Sequence, residues 1–383
     1  MEYRLKEILQ DKGYIRGPFG SSLKRNELKS TGIPVYEQQH AIYATREFRY
    51  YIDEEKYSQM KRFTVKPKDL IISCSGTIGK VDLISEKDPI GIISQALLIL
   101  RANTDIVLPE YLFYFLKSDY GYNSIISRSM GSVQVNIAKR EVIENIKINI
   151  PSLKEQEKIV KILSNIDEKI KLNNQINDNL FKIGDQLYFE NFDKYKKELP
   201  DGYRIVKLGD AVSNYDSKRK PMSRRERELH QGLYPYYGAT SIIDYVDDYI
   251  FDDTYLLMGE DGTVKTDEGY PVLQYIWGKN WINNHAHVLK GEKISTEFLV
   301  FALRKINIES IITGAVQPKI NQENMNKIEF VIGTESKNRE YENIFTNIMN
   351  KYKNIIEENK RLEQLRDILL PKLMNGEINL DKI

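Results

Sequence analysis

Short loops of this chain are rich in basic, amide and hydroxyl side chains, the residue types that contact nucleic acid. The densest basic run is Asp216–Gln231, where six cations are interleaved with acids. Such a run either forms a solvated face or neutralises several phosphates, in which case affinity falls steeply with salt. We predict that its cations contact a nucleic-acid backbone; they are Lys218, Arg219, Lys220, Arg224, Arg225 and Arg227.

The first half of the chain offers fewer cations and more amides. Gly13–Lys24 is a glycine-rich loop with basic residues, and Gln38 and Gln39 follow on an expected exposed bend. Glutamine can read adenine edges in the major groove, although most glutamine pairs are ordinary surface residues. The candidate contact residues outside the basic run are Arg16, Ser21, Lys24, Arg25, Gln38, Gln39, His40, Ser75, Thr77, Arg128, Gln134, Tyr237, Thr240, Ser241, Thr263, Asn284, His285, Gln317 and Lys319.

Known sequence patterns for nucleotide binding, metal binding and catalysis do not fit the chain. Ser75–Lys80 superficially resembles a phosphate-binding loop, but the P-loop spacing would need glycine at Cys74 and Ser or Thr at Val81. His285 and His287 would share one face of a strand, yet no cysteine or acidic residue stands nearby at metal spacing. Neither a hydrolase nor a metalloprotease motif is present, nor an Asn-Pro-Pro-Tyr methyltransferase loop. We expect no metal, cofactor or catalytic site in this chain.

Composition favours a cytoplasmic protein of several domains. The chain has 383 residues, which suggests two or three domains, and a net charge of +1, so any nucleic-acid face must be a local patch. A single cysteine, Cys74, fits a reducing compartment and is expected to be a small buried core residue. The N-terminal residues lack the apolar core of a signal peptide, and the most apolar run, Gly91–Leu100, is too short to span a bilayer.

Two long amphipathic stretches must position the polar loops. In Pro151–Phe192, apolar residues recur at alternating steps of four and three, the period of a coiled-coil seam, and Gly184 fills one slot. Ser152 is a good capping residue, and the helix would be about 55–60 Å long at 1.5 Å per residue. Its seam residues are Ile159, Leu163, Ile166, Ile170, Asn173, Asn177, Leu180 and Leu187.

The same steps recur near the far end of the chain, where a second helix can cover the first. We expect Pro371 to stop this helix, because proline lacks the amide hydrogen that a helix interior needs. Asn173 and Asn359 fall on the two seams and either fix the helix register or lie exposed. The second seam is Tyr341, Phe345, Ile348, Tyr352, Ile355, Asn359, Leu362 and Leu369. The candidate partner-binding positions on the two seams are Ile159, Leu163, Ile166, Ile170, Leu180, Phe345, Ile348, Tyr352, Ile355, Leu362 and Leu369.

An internal repeat relates the two globular segments beside these helices. Five short matches occur in the same order, offset by about 200 residues at the start and by about 183 at the end, as a duplication followed by loop deletions would leave them. Chance could supply one or two of them, but not five in order. They pair Tyr3–Leu5 with Tyr203–Ile205, Ile33–Tyr36 with Tyr234–Tyr237, Gly76–Ile78 with Gly262–Val264, Glu110–Leu112 with Glu297–Leu299, and Gly131–Gln134 with Gly314–Gln317.

The fold class that follows is α+β, with two tandem-repeated α/β domains and two long helices that form an antiparallel coiled coil with pseudo-two-fold symmetry. We predict strands over Asp69–Cys74, Gly91–Leu100, Tyr245–Phe251 and Tyr255–Met258 and a short helix over Pro109–Leu116. The turn signal Pro200–Gly202 separates the halves. The predicted division is a first domain over 1–150, a helix over 151–199, a second domain over 200–334, and a helix with a tail over 335–383.

The chain resembles the specificity subunits of type I restriction–modification systems over nearly its whole length. Each motif is soft by itself, but their order is specific. The second helix departs from the pattern, since Ile332–Lys337 lacks the proline and glutamine of the first helix entry. The resemblance is carried by Tyr203–Asp210, Tyr236–Ala239, Asn284–Leu289, Gly314–Ile320, Ile150–Val160 and Leu365–Ile378.

The resemblance implies two target-recognition domains, each reading one half of a split site in double-stranded DNA. It implies that the helix pair fixes their separation and binds two modification subunits, which carry S-adenosylmethionine and the adenine methyltransferase. A motor–nuclease subunit adds cleavage. Two other readings stay open on the residues alone. One is a DNA-modifying enzyme with a divergent active site, and the other is a coiled-coil scaffold that does not bind DNA.

Overall fold

The structure, a computed structural model, describes residues 1–19, 22–127, 136–314, 316–378 and 380. The chain divides into two compact units. Unit 1 comprises Met1–Ile170 and Lys360–Ile383, and unit 2 comprises Lys171–Asn359. Both unit boundaries fall inside long helices, so each unit takes a segment of both helices. The units therefore cut across the division at 150, 199 and 334 that the sequence predicts.

Unit 1 is built on three small sheets. A four-stranded antiparallel sheet has the order β2-β8-β5-β6, a second sheet has the order β4-β3-β7, and β1 pairs with β9. The strands are β1 Glu2–Arg4, β2 Leu9–Arg16, β3 Ile33–Tyr36, β4 Tyr51–Ile52, β5 Leu70–Ser73, β6 Val81–Leu83, β7 Ile92–Ile93, β8 Leu97–Ala102 and β9 Lys147–Asn149. The helices are α1 Gln38–Tyr43, α2 Glu54–Gln59, α3 Pro109–Lys117, α4 Asp119–Ile126, α5 Arg140–Glu144 and the start of α6 Leu153–Asn191.

Unit 2 repeats this arrangement. Its sheets have the orders β11-β18-β15-β16 and β13-β12-β17-β14, and β10 pairs with β19. The strands are β10 Arg204–Lys207, β11 Val212–Asn214, β12 Gln231–Tyr237, β13 Ile242–Val246, β14 Phe251–Asp252, β15 Tyr255–Gly259, β16 Leu273–Ile276, β17 Lys279–Ile282, β18 Ala286–Gly291 and β19 Glu329–Ile332. The helices are α7 Arg224–Leu229, α8 Thr296–Leu303, α9 Gln322–Asn326 and most of α10 Glu335–Met374.

Strand register confirms the internal repeat. Tyr36 of β3 pairs in parallel with Ile93, and Tyr237 of β12 pairs in parallel with Ile282. Gly76 and Gly262 both have positive φ (64° and 78°) in the turn that follows the central strand, a backbone conformation that glycine adopts without strain. The structure shifts one of the five matches, the one that pairs Tyr3–Leu5 with Tyr203–Ile205. The Leu5 amide donates to the Ile146 carbonyl, and in the second half the equivalent bond runs from the Leu208 amide to the Ile328 carbonyl. Leu5 therefore corresponds to Leu208 and not to Ile205.

Several predicted elements have different boundaries in the structure. The predicted strand Gly91–Leu100 is two strands, β7 and β8, which join different sheets across the polar segment Ser94–Ala96. Tyr245–Phe251 is likewise divided between β13 and β14. Apolar runs mark burial, but they cannot show where a chain leaves one sheet for another.

Pro371 does not end α10, which continues to Met374. A proline inside a helix removes one amide hydrogen bond, and here burial of the last turn compensates for that loss. Leu370 and Leu373 are both buried in the unit 1 core with Ile159 and Leu163 of α6. The N-terminus of α6 begins as predicted, since Ser152 and Glu155 bond reciprocally as a capping pair.

The helix seams are largely as predicted within each unit. In unit 1, Ile159, Leu163 and Ile166 are buried, while Ile170, Leu362 and Leu369 are half-buried. The pair runs antiparallel there, because Asp167 of α6 contacts Arg366 of α10 and Lys158 contacts Leu380.

In unit 2 the seam shifts by one residue near the end of α6. Tyr188 is buried where Leu187 was expected, since its hydroxyl bonds the Val331 backbone of β19. Met349 is similarly buried beside a half-buried Ile348. Of the other predicted seam positions of this unit, Asn177, Tyr341, Phe345 and Ile355 are buried, and Leu180 and Tyr352 are half-buried.

The two seam asparagines of unit 2 face each other. Asn173 is 1% exposed, and its Nδ2 donates to Asn359 Oδ1 and to Glu358 Oε2, both at 2.8 Å. The Asn359 amide in turn donates to Asn174 Oδ1 at 2.9 Å. A buried polar pair of this kind resists a shift of register, because any other alignment would leave amides unsatisfied.

None of the described helices combines the length and the apolar character that crossing a bilayer requires.

Candidate nucleic-acid interface

Each unit brings three separate segments together at one edge of its sheets, which we call the loop edge. In unit 1 the loop edge is Ser75–Thr77, Ser94–Ala96 and Asn136. A bridge joins Ser75 to Asn136, and the Cys74 amide donates to Ala96. In unit 2 the loop edge is Asp261–Thr263, Asn283–His285 and Lys319. The same bonds recur there, since Asp261 bridges Lys319 and the Glu260 amide donates to His285.

The loop edge of unit 1 opens into a cavity of about 910 Å³, which we call the basic groove. Its lining combines polar side chains of the loop edge with four cations. None of its described lining residues is acidic. These residues are Tyr14, Arg16, Phe19, Gln38, Arg62, Ser75, Gln95, Ala96, Asn136, Ile137, Ala138, Lys139 and Arg140.

Aromatic rings orient two of the groove cations. The Arg16 guanidinium lies 5.6 Å from the Phe19 ring and donates to the Leu97 carbonyl at 3.4 Å. Arg140 lies 5.2 Å from the Tyr14 ring and also pairs with Glu144 at 2.8 Å. The ring contacts restrict where the two guanidinium groups lie, and guanidinium groups suit phosphate oxygens.

Behind the groove, Cys74 is fully buried as predicted. Burial raises the pKa of its thiol to about 12, so the side chain is a neutral core group.

The pair Gln38 and Gln39 does not lie on an exposed bend but begins helix α1. Gln38 lines the groove, and its Oε1 accepts from the Ser75 amide at 3.1 Å. Gln39 donates to the Glu47 carbonyl. Of the two, Gln38 is the one placed to contact a ligand.

His40 is not a contact residue in this structure, because it is fully buried. Its Nδ1 accepts from the Glu37 amide at 2.7 Å, and its Nε2 donates to the Glu47 carbonyl at 3.1 Å. The ring stacks on Phe48 with centroids 4.6 Å apart. Burial lowers the pKa of His40 and favours the neutral imidazole.

The remaining unit 1 candidates are scattered. Thr77 is exposed on the loop edge, whereas Lys24 and Arg25 are exposed outside the lining of the groove. Ser21, Arg128 and Gln134 lie outside the described residues.

The equivalent position in unit 2 holds a cluster of opposite charges. Arg219 is 12% exposed, and its guanidinium lies 2.6 Å from Glu260 and 3.5 Å from Asp216. Asp216 also lies 2.6 Å from His287, and Lys319 lies 3.3 Å from Glu260. Hydrogen bonds from His287 and the Val288 amide hold the pKa of Asp216 below its usual range, against the opposing effect of burial.

This cluster bears on the expectation that no metal binds near His285 and His287. The two histidines do not share an exposed face, because His287 is buried in β18 while His285 precedes the strand and is exposed. Acidic groups do reach His287 in space: ligand atoms of Asp216, Glu260 and His287 lie within 4.8 Å of one another. Arg219 already supplies a cation to both carboxylates, so a metal ion would have to displace an arginine.

The basic run of unit 2 therefore divides into two kinds of residue. Arg219 and Arg227 are ion-paired and mostly covered, since Arg227 bonds Asp244 at 3.0 Å and lies over the Tyr236 ring. A phosphate contact by either of these two arginines would require its ion pair to open, and it stays a prediction. Arg224 is exposed beside Glu228. Lys218, Lys220 and Arg225 are exposed and keep the predicted role.

Other unit 2 candidates lie near the loop edge. Tyr237 is half-buried, and burial raises the pKa of its hydroxyl to about 12. His285 is exposed, and its Nδ1 lies 2.5 Å from an Asp261 carboxylate oxygen. The remaining exposed candidates are Thr240, Ser241, Thr263, Asn284 and Gln317.

The sequence reasoning missed several residues of both loop edges. Arg62, Lys139 and Arg140 stand in basic pairs that could have been noticed, Lys61-Arg62 and Lys139-Arg140. Gln95 and Asn136 gave no comparable signal, since nothing in the chain shows that these two segments meet Ser75. Asp261 is likewise absent from the residues predicted from sequence.

A duplicated α/β chain with a polar loop edge in each half and an antiparallel pair of helix segments in each unit is the architecture of a DNA-recognition protein with two recognition domains. The family model for the type I restriction modification DNA specificity domain matches residues 2–181 and 200–366. The chain belongs to this family.

The chain is also similar to curated proteins that are named as specificity subunits of type I restriction enzymes. The chain is 23% identical over 358 residues to the type I restriction enzyme MjaIX specificity subunit of Methanocaldococcus jannaschii, covering 83% of this chain and 81% of that protein. It is 22% identical over 373 residues to the type I restriction enzyme HindI specificity subunit of Haemophilus influenzae, covering 75% of this chain and 81% of that protein. A putative specificity subunit of H. influenzae, S.HindORF215P, is 35% identical over 125 residues, which span 32% of this chain and 31% of that protein.

A solved structure has the same fold. The type I restriction–modification S subunit from M. genitalium superimposes with a TM-score of 0.57 at 17% identity, over 97% of this chain and 95% of that one.

Proposed function

We propose that this chain reads a split DNA target, with unit 1 recognising one half and unit 2 the other. The observation that carries the proposal is the duplication itself. The two loop edges are built by equivalent backbone bonds, yet they present different side chains, such as Ser75 against Asp261 and Asn136 against Lys319. One scaffold with two sets of polar side chains suits the reading of two unlike half-sites.

Phosphate contacts and base contacts have separate places in this proposal. Arg62, Lys139 and Arg140 in the lining of the basic groove would hold phosphates, which fixes position without reading sequence. Gln38, Gln95 and other neutral groups of the same lining would meet base edges, because amides supply both donors and acceptors.

The remaining parts of the proposal concern the helices and partners. We take residues 1–150 and 200–334 as the target-recognition domains, and α6 and α10 as a spacer that sets the unread gap. The half-sites would lie about one helical turn of DNA apart, roughly 34–36 Å. The helices would bind two copies of a methyltransferase subunit, which carries S-adenosylmethionine, and a motor–nuclease subunit would join that assembly. This chain would contribute recognition and no catalysis.

The experiment is to express the chain with its cognate modification subunit in cells and to map methylated bases by single-molecule sequencing. We expect one split, adenine-methylated motif with two unlike halves. Absence of a new motif, with both proteins expressed and associated, would refute the proposal and favour a scaffold. Methyl transfer by the purified chain alone would refute the assignment of catalysis to its partner.

A further inference from the structure

We propose that Asp261 in unit 2 reads a base, by accepting a hydrogen bond from an exocyclic amino group in the major groove, with cytosine N4 the expected donor. The inference rests on the proposed function, because it assigns one contact within the half-site of unit 2.

Asp261 occupies the position that Ser75 occupies in unit 1. Each of these residues follows the central strand of its unit, precedes a glycine with positive φ, and bridges the returning loop, at Lys319 or at Asn136. Ser75 and Asn136 both line the basic groove. By this correspondence, the Asp261 side chain lies at the unit 2 surface that is equivalent to the basic groove of unit 1. In the proposed function, this surface meets DNA.

The neighbouring acids of unit 2 are already neutralised. Glu260 pairs with Arg219 and Lys319, and Asp216 pairs with His287 while lying 3.5 Å from Arg219. Of Asp216, Glu260 and Asp261, the last alone has no lysine or arginine partner among the described residues. The Asp261 carboxylate contacts His285 through its Oδ1 atom. Its Oδ2 atom has no hydrogen-bond partner among the residues that the structure describes.

Both members of this pair can be reached from solvent. The side chains of Asp261 and His285 are 18% and 48% exposed. Aspartate is also common in turns, where its carboxylate accepts from the backbone two residues on. Here the carboxylate bonds the His285 ring instead, so the turn at Gly262 does not account for it.

A carboxylate at a DNA surface is repelled by phosphates, and a hydrogen bond accepted from a base offsets that cost. The major groove offers two kinds of strong donor, cytosine N4 and adenine N6, and acidic side chains pair with cytosine N4. The His285 contact orients the carboxylate, which makes His285 a positioning residue. Loss of the Asp261 acceptor should therefore weaken the preference at a single base pair, while the other base pairs of the half-site are still recognised.

The test compares Asp261→Asn and Asp261→Ser with the wild type, each in the assembly with the modification subunit. Asn replaces one acceptor by a donor, and Ser is the residue that unit 1 carries at this position. The matched control is Asp267→Asn, which removes a charge from an exposed residue of the same unit. Binding is measured by competition with all four base pairs at each position of the wild-type motif, and methylation is mapped in cells.

We expect preference at one base pair of one half-site to fall on the order of 10- to 100-fold in both variants. The half-site of unit 1 should be unchanged, which shows that the chain is folded and assembled. His285→Gln keeps the carboxylate acceptor but replaces the ring that orients it, and should lower the preference at the same base pair by a smaller factor than Asp261→Asn does. Three results would overturn the inference: an unchanged consensus in Asp261→Asn, a uniform loss over the whole half-site, or equal relaxation in His285→Gln.

Failure of the proposed function looks different. In that case the wild-type assembly yields no split motif, before any variant is made.

Discussion

Removing cations from the basic groove of unit 1 should weaken DNA binding without changing the preferred sequence. The variant is the triple substitution Arg62→Ala, Lys139→Ala and Arg140→Ala. All three residues are exposed and line the groove. Contacts from such cations to phosphates position the duplex and carry no base information.

The expected size follows from counterion release. Each phosphate neutralised contributes about 0.9 to the slope of log K against log salt, so three contacts contribute about 2.7. At about 0.15 M salt this corresponds to an affinity loss on the order of 100-fold. Arg140 shares its charge with Glu144 at 2.8 Å, so its own contribution should be smaller than that of Arg62 or Lys139.

The assay is a salt titration of DNA binding by the assembly with the modification subunit. The matched control replaces Lys6, Lys87 and Lys154 by alanine, three exposed lysines of unit 1 that do not line the groove. That variant loses the same charge and should keep nearly the wild-type slope. An altered consensus, or a slope that the groove variant shares with the wild type, would refute the assignment of these cations to phosphates.

Four further predictions concern the rest of the chain. Arg219→Ala should lower the free energy of unfolding of unit 2 by about 3 kcal/mol, because it leaves the mostly covered Glu260 and Asp216 carboxylates short of a partner, whereas Arg225→Ala should change DNA binding and leave denaturant unfolding unchanged. Cys74 should react with iodoacetamide roughly a thousandfold more slowly in the native chain than in urea at pH 8.5, since burial raises its pKa from 9.0 to about 12; equal rates would show that the thiol is accessible. Asn173→Leu should lower the free energy of unfolding by about 1–3 kcal/mol, because it leaves the buried Asn359 amide without its partner. The double variant Asn173→Leu with Asn359→Leu should recover much of that loss, which a double-mutant cycle in denaturant would measure. Insertion of seven residues after Ile170, matched by seven after Asn359, should lengthen the unread gap by about three base pairs and preserve both half-sites, and an unchanged gap in the methylation map would rule out a spacer role.

The matched insertion shows how the structure sharpens a prediction made from sequence. Periodicity alone places a spacer in α6 and suggests one insertion after Ile170. The unit boundaries fall at Ile170 and at Asn359, and each unit pairs its own segments of α6 and α10. An insertion in one helix would break the pairing in one unit, so both helices have to be extended together.

Burial also separated residues that composition treats alike. Arg219 and Arg225 belong to one basic run, yet Arg219 is 12% exposed between two carboxylates and Arg225 is exposed. Similarly, Gln38 lines the groove whereas His40, two residues later, lies in the core. The sequence of a polar run does not show which side chains point to solvent. That depends on the helix or strand that the run forms, as when α1 places Gln38 and His40 on different faces.

The sequence by itself determined the duplication, the two long helices with most of their seams, the buried cysteine and the family. These follow from local periodicity, and from motifs that keep their order along the chain. Tertiary structure alone decided which distant segments form each loop edge, as when Ser75 meets Asn136 and Asp261 meets Lys319. It also decided which charges neutralise one another, such as Arg219 with Glu260 across 41 positions. The physical reason is that hydrogen-bond register and ion pairing depend on distances in space, which spacing along the chain does not specify.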